Sequence, residues 1–174
     1  MKHLFHFTLA LILLAFFAGC SKENDDSGIG ENQFKATING KDSVYTITKA
    51  TLQTFSDHKQ LSIITSLSGT SFDLYVNAPE ITAKEYPIAD PFNYNYPTEY
   101  SCCYYRWLYP NSYFTARAFV STVVATEYKT TITEINGNVV KGTVKFKAED
   151  QGYFTSGEVM IDATFSTNLL EIIP

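Results

Sequence analysis

Histidine, arginine and cysteine are all scarce in this chain: of 174 residues, three are His, three are Cys and two, Arg106 and Arg117, are Arg. His3 and His6 lie at the extreme N-terminus, which leaves His58, in the polar run Ser56-Asp57-His58-Lys59-Gln60, for any imidazole chemistry. A lone His beside an Asp in such a run reads as a solvated loop residue, because base catalysis needs an oriented group with a tuned pKa. There is no G-x-S-x-G elbow, H-E-x-x-H pair, Gly-rich phosphate loop or EF-hand loop. Asp90, Glu99 and Glu127 remain as carboxylates for glycosidase-type chemistry, but no motif brings them together. The expectation is therefore a protein that is not an enzyme and has no cofactor and no metal site. Basic residues are also in deficit, 13 Lys and Arg against 18 Asp and Glu, for a net charge of −5. Nucleic-acid binding needs clustered Lys and Arg, so that partner class is excluded.

Long apolar runs are equally rare, and the one present is N-terminal. Met1-Lys2 precede an almost wholly apolar stretch from Leu4 to Phe17, too short to cross a bilayer of about 30 Å comfortably. This is the pattern of a secretory signal peptide over residues 1–19. Phe17-Ala18-Gly19-Cys20 resembles the lipobox of bacterial lipoproteins, with Phe17 in place of the usual Leu. The resemblance implies that the Cys20 thiol is acylated and becomes the new N-terminus. Acyl chains contribute roughly 0.8 kcal/mol per buried methylene, so two or more hold a protein on a membrane firmly. Residues 20–32, with Ser21-Lys22-Glu23-Asn24-Asp25-Asp26 and Ser27-Gly28-Ile29-Gly30, read as the lipidated Cys and a flexible tether. Lys22-Glu23 and the acids at 25 and 26 also resemble the export signal of Bacteroidota lipoproteins. That implies an outer-membrane lipoprotein on the cell surface, with anchoring on the periplasmic face as the alternative.

A helical stripe is missing throughout the remainder, and a period of two recurs instead. Phe34, Ala36 and Ile38 alternate with Lys35 and Thr37 up to Asn39-Gly40, a type I′ turn dipeptide. Leu61, Ile63 and Thr65 alternate with Ser62 and Ile64, and Phe72, Leu74 and Val76 with Asp73, Tyr75 and Asn77. Beyond a second turn at Asn136-Gly137, Val140, Gly142, Val144, Phe146 and Ala148 form one face. Val159, Ile161, Ala163 and Phe165 do the same after a connection from Gly152 to Gly157. Half-buried antiparallel strands follow from such alternation. Residues 33–174 are thus expected to form a single all-β domain, an antiparallel β-sandwich or open β-barrel. A domain near 150 residues buries about 68 to 70% of its unfolded surface and needs no metal or disulfide to hold a core.

Phe34-Lys35-Ala36-Thr37-Ile38-Asn39-Gly40, Thr131-Ile132-Thr133 and Lys141-Gly142-Thr143-Val144-Lys145-Phe146 resemble segments of small Bacteroidota lipoproteins of unknown function. In those, an F-x-A-x-I-N-G strand and a K-G-T-h-x-F strand bracket an all-β domain. The resemblance covers both ends of residues 33–167, implies the fold and the location, and implies no activity.

Cys102 and Cys103 are adjacent. Their Cα atoms, about 3.8 Å apart across a trans peptide, fall below the usual disulfide range of roughly 4.4 to 6.8 Å, so two separate thiols are expected. The segment around them is the compositional anomaly of the chain: eleven of the 22 aromatics beyond residue 19 fall between Tyr86 and Phe114. Pro87, Pro91, Pro97 and Pro110 interrupt it, so Ile88 to Thr98 reads as a loop. Tyr100 to Leu108 and Tyr113 to Ser121 then read as a hairpin closed by Tyr109-Pro110-Asn111-Ser112. A four-residue connection would pair Leu108 with Tyr113, Arg106 with Thr115 and Tyr104 with Arg117. Cys103, Tyr105, Trp107, Phe114, Ala116 and Ala118 would then face the core, and both arginines would share the outer face. A one-residue change in the loop flips the assignment. Two readings stay open, a Tyr-rich packing cluster and a ligand surface made of Tyr94, Tyr96, Tyr104, Arg106, Tyr113 and Arg117. Rings beside guanidinium groups suit sugars, carboxylates or a protein hot spot. The functional expectation is a noncatalytic, lipid-anchored domain that binds a glycan or an envelope or host macromolecule. The alternative is a structural or accessory subunit that contacts a membrane protein partner.

Overall fold

The computed structural model describes residues 29–89, 97–108, 116–121, 128–150 and 158–174. The signal segment, Cys20 and the tether as far as residue 28 lie outside them, as do Tyr94, Tyr96 and Tyr113. Eleven strands are described: β1 (Gln33–Ile38), β2 (Lys41–Thr54), β3 (Lys59–Ser66), β4 (Thr70–Ala78), β5 (Glu85–Pro87), β6 (Tyr100–Leu108), β7 (Ala116–Ser121), β8 (Lys129–Asn136), β9 (Val139–Asp150), β10 (Glu158–Thr167) and β11 (Leu170–Ile173). Among the described residues there is no helix.

Pairing runs β10-β1-β2-β3-β4-β6-β7-β9-β8-β5, and β9 also pairs with β10. That second pairing returns the path to its start and gives a barrel-like, single all-β domain. Every ladder is antiparallel except β11 on β2. The alternation read from the sequence sets which residues enter the interior. Phe34 and Ala36 of β1, Leu61, Ile63 and Thr65 of β3, and Phe72, Leu74 and Val76 of β4 are buried, as are Val140, Val144 and Phe146 of β9 and Val159, Ile161, Ala163 and Phe165 of β10. In β2 the phase breaks at a bulge between Ile47 and Lys49, which lets Tyr45, Ile47 and Ala50 all be buried although they are not evenly spaced by two.

Phe72 is the hub of the interior. Its ring lies 5.0 Å from Phe34, 4.8 Å from Tyr45, 4.8 Å from Tyr105 and 6.4 Å from Phe146, in stacked and edge-on geometries. Each such ring contributes roughly 1.5 to 3 kcal/mol by leaving water, and favourable ring pairs add about 0.5 to 1.5 kcal/mol.

The turns follow local chemistry. Asn39 and Gly40 both have positive φ, 48° and 81°, as a type I′ hairpin requires. At the second hairpin Asn136 pairs with Val139, so the central residues are Gly137 and Asn138, and of the two only Gly137 has positive φ. The β3–β4 connection is a third tight turn, with Ser68 at φ 32° and Gly69 at φ 86° between mutually hydrogen-bonded Leu67 and Thr70.

The proline-interrupted segment is anchored at its start. Tyr86 is fully buried, and its hydroxyl donates to the Thr82 carbonyl (2.9 Å) while accepting from the Thr82 N–H (2.8 Å). Ile88, expected to open a loop, forms a single parallel bridge to Ser101, and the Ala89 N–H donates to the Ser101 carbonyl at 2.8 Å. Of the rest of the expected loop, residues 90–96 lie outside the described residues, and Pro97 and Thr98 belong to no strand, as expected.

Candidate functional site

β6 spans Tyr100–Leu108, the strand expected from the sequence, and pairs with β4: Tyr100 with Asn77, Cys102 with Tyr75, Tyr104 with Asp73 and Arg106 with Ser71. Partners directly across a ladder share a face. Cys103 and Tyr105 therefore go inward with Leu74 and Phe72, and Cys103 is buried in the core. Tyr100, Cys102, Tyr104 and Arg106 go outward with Asn77, Tyr75 and Asp73. On the other side of β4, Gln60 pairs with Asn77 and Ser62 with Tyr75. Gln60, Tyr75, Asn77, Tyr100, Cys102, Tyr104 and Arg106 line a shallow hollow of about 470 Å³ on this outer face.

The hollow has a polar end, an aromatic middle and a second polar end. At one end the Gln60 side-chain amide donates to Asn77 Oδ1 at 2.9 Å, and the Ser62 hydroxyl donates to Gln60 Oε1 at 3.3 Å. In the middle Tyr75 and Tyr104 meet edge-on with centroids 5.8 Å apart. At the far end the Arg106 guanidinium stands 5.5 Å from the Tyr104 ring centroid and binds Asp73 Oδ2 at 2.8 Å. Arg106 is 43% exposed, but the Asp73 side chain is only 5% exposed. A carboxylate under tyrosines on an outer face is costly unless paired. Burial raises its pKa above the usual Asp value and the Arg106 charge opposes that rise. Burial, reinforced by the Asp73 charge, also raises the pKa of Tyr75.

Both cysteines are free and buried. Burial pushes the Cys102 thiol up to about 12 and the Cys103 thiol well above its ordinary value. Neutral thiols on opposite faces are packing groups, not nucleophiles. His58 sits in the turn that links β2 to β3, 2.7 Å from Asp57 and stacked on Phe55 at 4.7 Å, in keeping with the solvated loop residue expected. Of the three carboxylates kept as acids, Glu99 is ion-paired with Lys84 at 2.7 Å, while Asp90 and Glu127 lie outside the described residues. Among the described residues no cluster of three or more His, Cys, Asp or Glu could hold a metal ion.

Of the six expected ligand residues, Tyr104 and Arg106 are thus brought together. Arg117 is not. The register pairs Leu108 with Ala116, Trp107 with Arg117, Arg106 with Ala118 and Tyr104 with Val120. This is offset by three residues from the pairing that a four-residue connection would impose. An odd offset exchanges the faces of β7, so positions 106 and 117 fall on opposite sides of the ladder. Gln60, Asp73, Tyr75, Asn77, Tyr100 and Cys102 were missed as site residues. The signal for three of them was available, since Asp73, Tyr75 and Asn77 form the outward set of the β4 alternation. What periodicity omits is that β6 lays its own tyrosines beside them. Comparison with known proteins returns no match, whether among family models, curated proteins or solved structures.

Proposed function

We propose that this chain is a noncatalytic lipoprotein, anchored through Cys20 in the outer membrane and displayed on the cell surface, that binds glycan on the outer face of β3, β4 and β6. The observation that carries the binding reading is the hollow itself: Tyr75 and Tyr104 between an amide pair, with Tyr100 beside it, and a guanidinium held by a buried carboxylate. Rings offer apolar contact at low entropy cost, and planar polar side chains offer directional hydrogen bonds to hydroxyl groups. The anchoring reading rests on the lipobox resemblance and the acidic run behind it.

The test uses the full acylated chain in liposomes, presented to a panel of envelope and host polysaccharides. Wild type captures at least one polysaccharide, and Tyr75→Ala/Tyr104→Ala, with an intact thermal transition, loses it. Undiminished capture by that variant overturns the site. Cys20→Ser moves the protein from the membrane fraction to the soluble fraction, and protease treatment of whole cells degrades wild type. Resistance of wild type to the protease overturns surface display.

A further inference from the structure

We propose that the ligand of the β3–β4–β6 face is an uncharged oligosaccharide of more than one ring, bound along the strands from the Arg106 end to the Gln60 end. This rests on the glycan reading above and narrows it. The first argument is charge. Among the described residues that line the hollow, Arg106 is the one charged side chain, and its charge is already met by Asp73 at 2.8 Å. A sugar carboxylate or sulfate on the remaining guanidinium N–H groups would have to share that single positive charge with the buried Asp73 carboxylate and would be repelled by it. A cationic sugar meets the opposite obstacle, because Asp73 is too deeply covered to be reached as a partner. Hydroxyl groups demand neither. They accept from the guanidinium N–H groups that do not face Asp73 and exchange hydrogen bonds with the Gln60 and Asn77 amides, which both donate and accept.

The second argument is length. Asp73 and Asn77 are four residues apart on one strand, so the two polar ends of the hollow are separated by about 13 Å. Tyr75 lies between them, and its ring meets that of Tyr104, which stands opposite Asp73. A single pyranose touches one end and the rings. Only a chain of linked sugars engages the guanidinium, the rings and the amide pair together, and each added contact within one ligand raises affinity without a second loss of translational freedom.

The experiment is calorimetric titration of the full acylated chain in detergent with two ladders of one to six sugars, neutral glucans and acidic galacturonans. Expected for wild type is an affinity that rises about tenfold or more from glucose to the tetramer, and galacturonans at least about tenfold weaker at every length. Raising the salt from about 0.05 to 0.5 M leaves glucan affinity unchanged, because no net charge is neutralised. Gln60→Ala, at a partly exposed site outside the core, removes the gain in affinity with length, and a gain undiminished in this variant overturns the inference. Tighter or salt-sensitive binding of galacturonans overturns the inference and leaves the glycan reading standing. Equal affinity for monomer and tetramer also overturns it alone. Failure of both ladders together with an empty polysaccharide panel removes the glycan reading and the inference with it.

Discussion

Gly142 carries the sharpest constraint on any single residue. A Cβ built there would lie 2.2 Å from the Thr131 carbonyl oxygen and 2.6 Å from the Phe165 ring, and the first of these is backbone that cannot swing away. Gly142 pairs with Ile132, at the edge of the bulge between Ile132 and Glu134 of β8. Gly142→Ala should therefore destabilise the fold by about 1 to 3 kcal/mol or more through overpacking, read as a lower urea midpoint with an unchanged slope. Asp73 yields a prediction with a definite sign. Its folded pKa is raised above the ordinary 3.8, so the native state binds more protons than the unfolded chain in the window just above that value. Stability contributed by protonated Asp73 is then lost as pH rises through the window. Asp73→Asn removes the titration, so its stability relative to wild type should improve as pH rises from about 4 to 6. A relative stability that instead declines over that range would mean the Arg106 pair dominates burial.

At the scale of elements, the hairpin linking β3 and β4 contains a correctable strain. Ser68 has φ 32° and precedes Gly69 at 86°, the two positive values of a type I′ turn, yet Ser does not favour that region as Asn does. An asparagine in its place would reproduce the Asn39-Gly40 pair of the β1–β2 turn. Ser68→Asn should raise stability by about 0.5 to 1 kcal/mol, seen as a small rise in Tm with spectra unchanged. The same scale shows which elements periodicity could reach. Residues such as Leu61, Ile63, Val144 and Phe165 face inward as their spacing dictates, because one face of an antiparallel strand is set by its own alternation. The β6–β7 register was out of reach because it depends on how the connection between them is built, and one residue more or less exchanges the faces. Asp73 was equally illegible as a buried group. Alternation makes it an outward polar residue, and its cover comes from Tyr104 and Arg106, some thirty residues away in the chain. The β2 bulge hid Ala50 in the same way, since it breaks the period within one strand.

For the whole molecule, closure of the sheet ties the first strand to nearly the last. β1 lies between β2 and β10, with Phe34 opposite both Tyr45 and Phe165. β10 in turn lies between β1 and β9. The interior that holds Phe34, Phe72, Phe146 and Phe165 cannot be assembled until residues more than a hundred apart have met, which makes folding cooperative and comparatively slow. β11 is different, because it adds only four residues in parallel to one edge of β2 and closes nothing. Its principal buried group is Leu170, whose N–H also donates to the Asn138 carbonyl at 3.0 Å. The two C-terminal strands should therefore respond unequally to truncation. Removing residues 170–174 deletes one buried Leu and a short ladder, at a cost of about 2 to 4 kcal/mol, so Tm should fall by roughly 5 to 15 °C with a single sharp transition retained. Removing residues 158–174 also deletes β10, leaves β1 and β9 as open edges and uncovers Phe34, Val144 and Phe146. That chain should show no cooperative transition and should be digested rapidly by protease. If instead it kept a sharp melt, the core would be held by the β2–β3–β4–β6 sheet alone, and ring closure would be incidental to stability.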